Sequence, residues 1–287
     1  MIGDVVIVVG IEEIRNLKAK IKGETLLLDR YGKVRADPGQ VKDTEKLKVL
    51  VIAADTRDVM EAVLFARQHN LRREVLLVEC IPEPDRQGEM FISTCRMTDV
   101  RVDPNMWTAL IQAGCKWERV IEMAENRRMA PLFPYTSDCG AVSHLLGERL
   151  HALEREYGIV SDNVKFFEVV TEEGEQQSVE RKGNAELFFA LCRGEVGNLI
   201  ITAIGIRLYP YKALDRRYLL YPVESAKELL RAYSIYTGQP GDRMPTSLIL
   251  VNFPALPVIP SFLQIRSVVM VRLYDPEKLS MEGPDFV

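Results

Sequence analysis

The sequence predicts an α+β fold, and three observations carry that prediction. Residues 47–80 read as strand, helix and strand, a βαβ-like unit. Residues 164–180 read as two strands around Glu173-Gly174, a hairpin signal because glycine reaches the positive φ that a tight turn needs. Residues 217–274 read as three strands and one helix, set off from the rest by Pro210 and a mixed-charge stretch over 209–216. The 287 residues are 47% hydrophobic, enough to bury a sizeable core in one large domain or two modest ones.

Taken in order, residues 47–54 form a buried apolar strand. Thr56 is the expected N-cap of a helix in which Val59, Met60, Val63, Phe65 and Ala66 recur at helical spacing until Asn70. Strands follow at 74–80, 89–95 and 108–114, with Val100 and Val102 alternating between the last two. Trp117, Val120, Ile121 and Ala124 make one face of a helix over 116–128. After the 164–180 hairpin, Asn184 caps a helix over 185–192, and 199–208 is the last long strand before Tyr209-Pro210. Beyond it come a strand (217–221), a helix (224–236) and two strands (246–252 and 267–274), the last two linked by the proline-rich segment 254–260. No internal repeat or low-complexity stretch interrupts this order.

Composition excludes several function classes. A net charge of −4 with no stripe of Lys and Arg gives no footprint for nucleic acid; Arg127-Arg128 and Arg216-Arg217 are short, solvated pairs. No apolar run is long enough to span a bilayer, and the apolar start lacks a basic leader and a cleavage site, so the expectation is a soluble, cytoplasmic protein without membrane partners. Cys80, Cys95, Cys115, Cys139 and Cys192 are odd in number and contain no Cys-x-x-Cys, which argues against a disulfide framework and against structural zinc; one disulfide stays open.

Several blocks then resemble, in order, the FAD-binding domain of the FAD-linked oxidases of the berberine-bridge and vanillyl-alcohol oxidase type. Residues 56–67 resemble the family's first helix. Cys95-Arg-Met-Thr-Asp-Val-Arg-Val-Asp-Pro resembles its S-R-M-x-x-V-x-V-D-P segment, and Gln112 to Val120 its A-G-A-x-W turn into a helix. Tyr157-Gly-Ile-Val-Ser-Asp-Asn-Val, Glu168-Val-Val-Thr, Gly197-Asn-Leu-Ile-Ile-Thr and Arg207-Leu-Tyr-Pro follow its closing pattern. The resemblance implies a two-subdomain α/β fold over 1–210 and, over 211–287, a truncated antiparallel substrate-domain sheet with a covering helix. It also places Ser137, Asp138, Gly140, Gly197, Asn198 and Thr202 at family cofactor positions.

The loops depart from that pattern. The family holds the FAD pyrophosphate with backbone N–H groups in glycine-rich turns, the first a G-G-G-H turn whose histidine often carries the flavin. Here that stretch is Val78-Glu-Cys-Ile-Pro-Glu-Pro, without glycine or histidine. Pro82 and Pro84 lack an N–H, and Glu79, Glu83 and Asp85 repel a dianion. In the second loop, Glu148, Arg149 and His151 stand where the family has glycine. Val142, Leu145, Leu146, Leu150, Leu153 and Tyr157 fall on one face of a continuous helix over 142–157. Ile200 replaces a glycine beside the isoalloxazine.

The expectation is therefore a chain with no cofactor and no metal, FAD being the second choice. It would bind an apolar or aromatic small molecule in the former cleft and, if an enzyme, catalyse a cofactor-free cyclisation, isomerisation or elimination. The alternatives are a non-covalent FAD-dependent oxidoreductase and a non-catalytic partner subunit. Asp138, His144 and His151 are the weak acid/base candidates; their plainer reading is a turn residue and two helix-face residues. Tyr209, Tyr211, Tyr218, Tyr221, Tyr233 and Tyr236 could line a ligand pocket or serve as ordinary packing. The strongly apolar runs 248–251 and 268–271 point to burial against another chain, most simply in a two-fold homodimer, or against the first 46 residues.

Overall fold

The computed structural model describes residues 9–29, 33–35, 48–83, 89–132, 139–146, 160–211, 215–238 and 246–275. These divide into two compact units, one running to Pro210 and one beginning at Tyr211.

The first unit holds two five-stranded sheets among its described residues. One has the order β2-β1-β3-β5-β4, built from β1 (Glu24–Leu28), β2 (Val34–Arg35), β3 (Lys48–Ile52), β4 (Arg73–Leu76) and β5 (Met90–Ser93). β3, β5 and β4 run parallel, and β1 is antiparallel to β3. Helix α1 (Ile11–Lys20) precedes this sheet, and α2 (Thr56–Gln68) crosses from β3 to β4. Strand β3 is buried along nearly its whole length, as parallel strands covered on both faces must be. Ala62, Val63 and Ala66 of α2 pack with Ile14 and Leu17 of α1 over Val49 and Val51.

The second sheet is antiparallel throughout, in the order β10-β9-β11-β7-β6. Its strands are β6 (Val100–Asp103), β7 (Thr108–Gln112), β9 (Val164–Val170), β10 (Gln176–Glu180) and β11 (Ile200–Arg207). Helices α3 (Trp117–Glu125), α4 (Ala141–Leu145) and α5 (Ala185–Cys192) contribute to its core, where Trp117, Phe167 and Leu191 are fully buried. Two-residue strands β8 (Met129–Ala130) and β12 (Tyr209–Pro210) pair beside it.

The second unit is a three-stranded antiparallel sheet, β13 (Asp215–Pro222), β15 (Ser267–Asp275) and β14 (Thr246–Asn252) in that order, with helix α6 (Ala226–Gly238). Adjacent Val268 and Val269 of the central strand are both buried although they point to opposite faces. Leu250 is 59% exposed on one outer strand, and Ile235 is 64% exposed on the helix.

Several expected boundaries shift for visible reasons. The cap of α2 is Asp55, not Thr56: Asp55 is extended, and its carboxylate accepts the Asp58 N–H at 3.2 Å. The strand expected over 74–80 stops at Leu76, because the next carbonyls turn to side chains of residues 93 and 94. The continuous helix expected over 142–157 does not form: α4 ends at Leu145 with Leu146 as its C-cap, and 147–157 lie outside the described residues. The hairpin glycine, Gly174, does take a positive φ of 77°.

One buried carboxylate ties the first sheet together. Asp58, 1% exposed, accepts the N–H groups of Lys22, Gly23 and Ala54 at 2.8, 2.9 and 2.9 Å. It thereby joins the α1–β1 turn to the β3–α2 turn. Three part-buried donors depend on one side chain, and each donor left unsatisfied away from water costs about 1–3 kcal/mol. Asp58→Ala is expected to lower the unfolding free energy by about 3 kcal/mol or more, measured by denaturant titration.

Candidate functional site

The site begins where the exits of β5 and β7 meet. A Cβ on Gly114 would lie 2.1 Å from the Thr94 carbonyl oxygen and 2.9 Å from Cys95 Cα. Only glycine lets the two backbones approach this closely, and the Gly114 N–H donates to the Met97 carbonyl at 3.0 Å. The next residues bridge to α4: Trp117 N–H donates to the Cys139 carbonyl at 3.1 Å, and Ala141 N–H to the Cys115 carbonyl at 2.8 Å. Gly140, in turn, faces the first loop, since a Cβ there would meet Val78 Cγ2 at 2.4 Å.

The first loop is anchored to the end of β5. Thr94 Oγ1 donates to the Leu77 carbonyl at 2.8 Å, and Ser93 Oγ to the Glu79 carbonyl at 2.7 Å. Cys80 and Cys95 form a disulfide, settling the pairing that the sequence leaves open. Cys80 is exposed and Cys95 half-buried.

Between these turns lies a cleft of about 440 Å³, lined by Val78, Cys95, Gly114, Cys115, Lys116 and Arg119 among others. Its cations are partly offset: Arg119 pairs with Glu122 at 3.1 Å. Burial pushes the Cys115 thiol up from 9.0 to about 11, against a smaller opposing pull from Arg119, so it stays protonated at neutral pH. Trp117 is fully buried, and its Nε1 has no hydrogen-bond partner among the described residues.

The residues singled out from sequence scatter around this cleft. Gly140 sits at its edge, and the Thr202 carbonyl accepts the Ala113 N–H at 2.9 Å, one residue from the Gly114 turn. Gly197 and Asn198 line a different cleft of about 350 Å³, where Arg73 Nη2 reaches the Asn198 carbonyl at 3.3 Å and Glu172 at 3.8 Å. Ser137, Asp138 and His151 lie outside the described residues. His144 is only 3% exposed and meets the Trp117 ring edge-on at 5.9 Å, so it is a core residue, neither a surface histidine nor an open acid/base group. Ile200 is buried in the core beside Val170 and the α2 face. Tyr209 belongs to the first unit and the other five tyrosines to the second, where Tyr218 and Tyr221 occupy opposite faces of β13. Lys116, Arg119 and the Cys80–Cys95 pair escaped the sequence reading, because nothing local marks them as neighbours.

Residues 47–180 match the family model of the FAD binding domain. An FAD-linked oxidoreductase of Aspergillus terreus is 23% identical over 257 residues, covering 86% of this chain and 52% of the relative. An FAD-dependent monooxygenase of Arthrobotrys oligospora is 23% identical over 231 residues, covering 79% and 45%. The chain thus spans about half the length of these relatives. Among solved structures, 6-hydroxy-D-nicotine oxidase of Arthrobacter nicotinovorans superimposes with a TM-score of 0.68 at 16% identity, over 90% of this chain and 56% of that one. Berberine bridge enzyme of Eschscholzia californica gives 0.63 at 15%, over 79% and 45%. The α+β fold is therefore that of the FAD-linked oxidases.

The family match and the relatives' FAD-linked names overturn the expectation of a chain without cofactor, and with it the cofactor-free cyclisation, isomerisation or elimination. That expectation weighed substituted loop glycines most heavily, whereas the turns at Gly114 and Gly140 are intact. No helix among the described residues is long and apolar enough to cross a membrane.

A buried thiol held protonated is a poor nucleophile. Cys115 is expected to resist iodoacetamide at pH 8 in the folded protein and to react once the chain is unfolded, as read by peptide mass spectrometry.

Proposed function

We propose that this chain, which carries the FAD binding domain of the FAD-linked oxidases over residues 47–180, is the cofactor-holding part of an FAD-dependent oxidoreductase with non-covalently bound flavin. The observation that carries the proposal is the 440 Å³ cleft, whose lining, from Val78 to Glu122, falls wholly within the matched segment. Its volume is within the roughly 300–1,000 Å³ of small-molecule sites.

The residues present fit the cofactor on the turn side of the cleft. Lys116 and Arg119 bring positive charge to a lining that also holds Glu118 and Glu122, so an anion must draw them from those carboxylates, and glycines at 114 and 140 keep side chains out of the tightest approaches. Cys115, held protonated, adds no opposing negative charge. FAD, when bound, supplies the two-electron acceptor for oxidation of a substrate. The first loop offers no histidine for attachment: His69 caps the C-terminus of α2, His144 is buried in the core, and His151 belongs to the second loop. Non-covalent binding follows from that loop chemistry.

The Cys80–Cys95 pair also bears on location. Disulfides persist in oxidising compartments, so the proposal places the protein there rather than in the cytoplasm. The second unit supports the self-association expected from sequence. Leu219 and Tyr221 on one face of β13, and Tyr218 and Leu220 on the other, are all more than a third exposed. Apolar surface of this kind on an outer strand invites pairing with a second copy.

Purified chain is expected to be yellow, or to take up FAD with micromolar affinity by calorimetry. Acid precipitation should release all the flavin into the supernatant. Lys116→Glu combined with Arg119→Glu is expected to weaken binding at least about tenfold, about 1.4 kcal/mol. A colourless chain giving no heat with FAD would sink the proposal, and flavin retained by the precipitate would refute the non-covalent part. Light scattering at micromolar concentration is expected to give twice the monomer mass; a clean monomer rejects the dimer.

A further inference from the structure

We infer that the Cys80–Cys95 disulfide is a positioning element of the flavin cleft, fixing the first loop where a glycine turn would otherwise shape it; this rests on the cofactor reading above. The first loop follows β4 and contains Leu77, Val78, Glu79 and Cys80, with Ile81 and Pro82 beyond. Among the described residues it has no strand partner of its own. Three links tie it to the exit of β5: Thr94 Oγ1 to the Leu77 carbonyl, Ser93 Oγ to the Glu79 carbonyl, and the disulfide. The two hydroxyls that hold it belong to fully buried residues, so the anchoring side is rigid.

The links fix more than position. In a trans peptide the N–H of one residue points opposite the carbonyl of the residue before it, and the described chain has no cis peptide bond. With the Leu77 and Glu79 carbonyls turned toward residues 94 and 93, the N–H groups of Val78 and Cys80 point away from them. The loop thus turns two backbone donors away from its anchoring hydroxyls without any glycine. The disulfide closes this arrangement at its last residue. Its other half, Cys95, lines the cleft together with Val78 and Gly114. Removing the covalent link leaves the loop held by two neutral hydrogen bonds, each of modest net strength, while the loop itself is exposed from Glu79 onward to Ile81.

Cys80 is an exposed residue, which makes the link open to a small dithiol. Dithiothreitol attacks as thiolate, and a mixed disulfide resolves as the reagent cyclises to its own disulfide. Two electrons and two protons pass to the protein, leaving Cys80 and Cys95 as thiols.

The test compares the full-length oxidised chain, the same chain treated with dithiothreitol, and the Cys80→Ser/Cys95→Ser double variant. FAD affinity is measured by calorimetry and by quenching of flavin fluorescence, and hydrogen exchange of residues 77–83 is followed without FAD. The expected result is FAD binding by the oxidised chain and affinity at least tenfold weaker after reduction. The double variant should match the reduced chain and be indifferent to dithiothreitol. Amides of 77–83 should exchange faster in both, with far-UV circular dichroism unchanged. Gly174→Ala serves as the control for general destabilisation. Its added Cβ meets Leu64 near 2.6 Å in a distant hairpin, so it should lower the melting temperature while leaving FAD affinity intact. Equal affinities in the oxidised and reduced chains, or unchanged loop exchange, overturn the positioning role while leaving the cofactor reading standing. An oxidised chain that binds no FAD overturns both. A Gly174→Ala chain that loses affinity in step with its stability would reduce the effect of the disulfide to plain destabilisation and so overturn the positioning role.

Discussion

The close approach of Gly114 to Thr94 is the constraint from which the site follows. The exits of β5 in the mixed sheet and β7 in the antiparallel sheet meet there with room for a hydrogen atom and not for a methyl group. Because the backbones touch, the segments leaving them are brought together as well: residues 95–98 on one side, 115–117 on the other. The Lys116–Gly140 bridge then carries the constraint to α4, and Val78 packs against Gly140. The cleft is the space these turns cannot fill. Its existence depends on backbone geometry, and its charge depends on the side chains placed around it.

Those side chains make a wall of balanced charge. Lys116 and Arg119 are set among Glu118 and Glu122, and the Arg119–Glu122 pair is exposed on both sides, where ion pairs contribute little to stability. A pair of that kind is easily rearranged around an anion. The acidic residues of the first loop oppose an anion from the other side: Glu79 and Glu83 are both exposed and therefore well screened. Screening lets a loop that carries acids coexist with the proposed pyrophosphate site. Coulomb repulsion between charges that keep their water is a fraction of what it would be if they were buried.

The first loop also shows that glycine is one solution among several for presenting backbone donors. Glycine supplies conformational freedom at the cost of chain entropy. This chain instead uses hydroxyl anchors from Ser93 and Thr94 and a covalent link from Cys95. Such anchoring rigidifies a loop that is otherwise exposed. In the first sheet Asp58 plays a comparable part, holding two turns through three backbone donors. In both places one element's ends are held by a few side chains of another, so the turns are ordered although they belong to no strand.

By itself the sequence determined the element order and the resemblance to a known fold. Periodicity located α2, the 164–180 hairpin and the Asn184-capped helix because those signals are local: apolar spacing, a capping side chain and a turn glycine all lie within a few residues of one another. The ordered blocks from Thr56 to Pro210 likewise needed no structure to point to an FAD-linked fold. Tertiary structure alone decided which cysteines pair, that His144 is buried against Trp117, that Asp58 is a clamp, and that Lys116 and Arg119 face a cleft with Val78 and Cys95. These are relations between residues far apart in the chain, set by where two sheets touch. Loop chemistry read from sequence alone erred toward loss of the cofactor because it counts the glycines that are missing. The close approaches that remain, of Gly114 to the Thr94 backbone and of Gly140 to the Val78 side chain, exist only once the chain is folded.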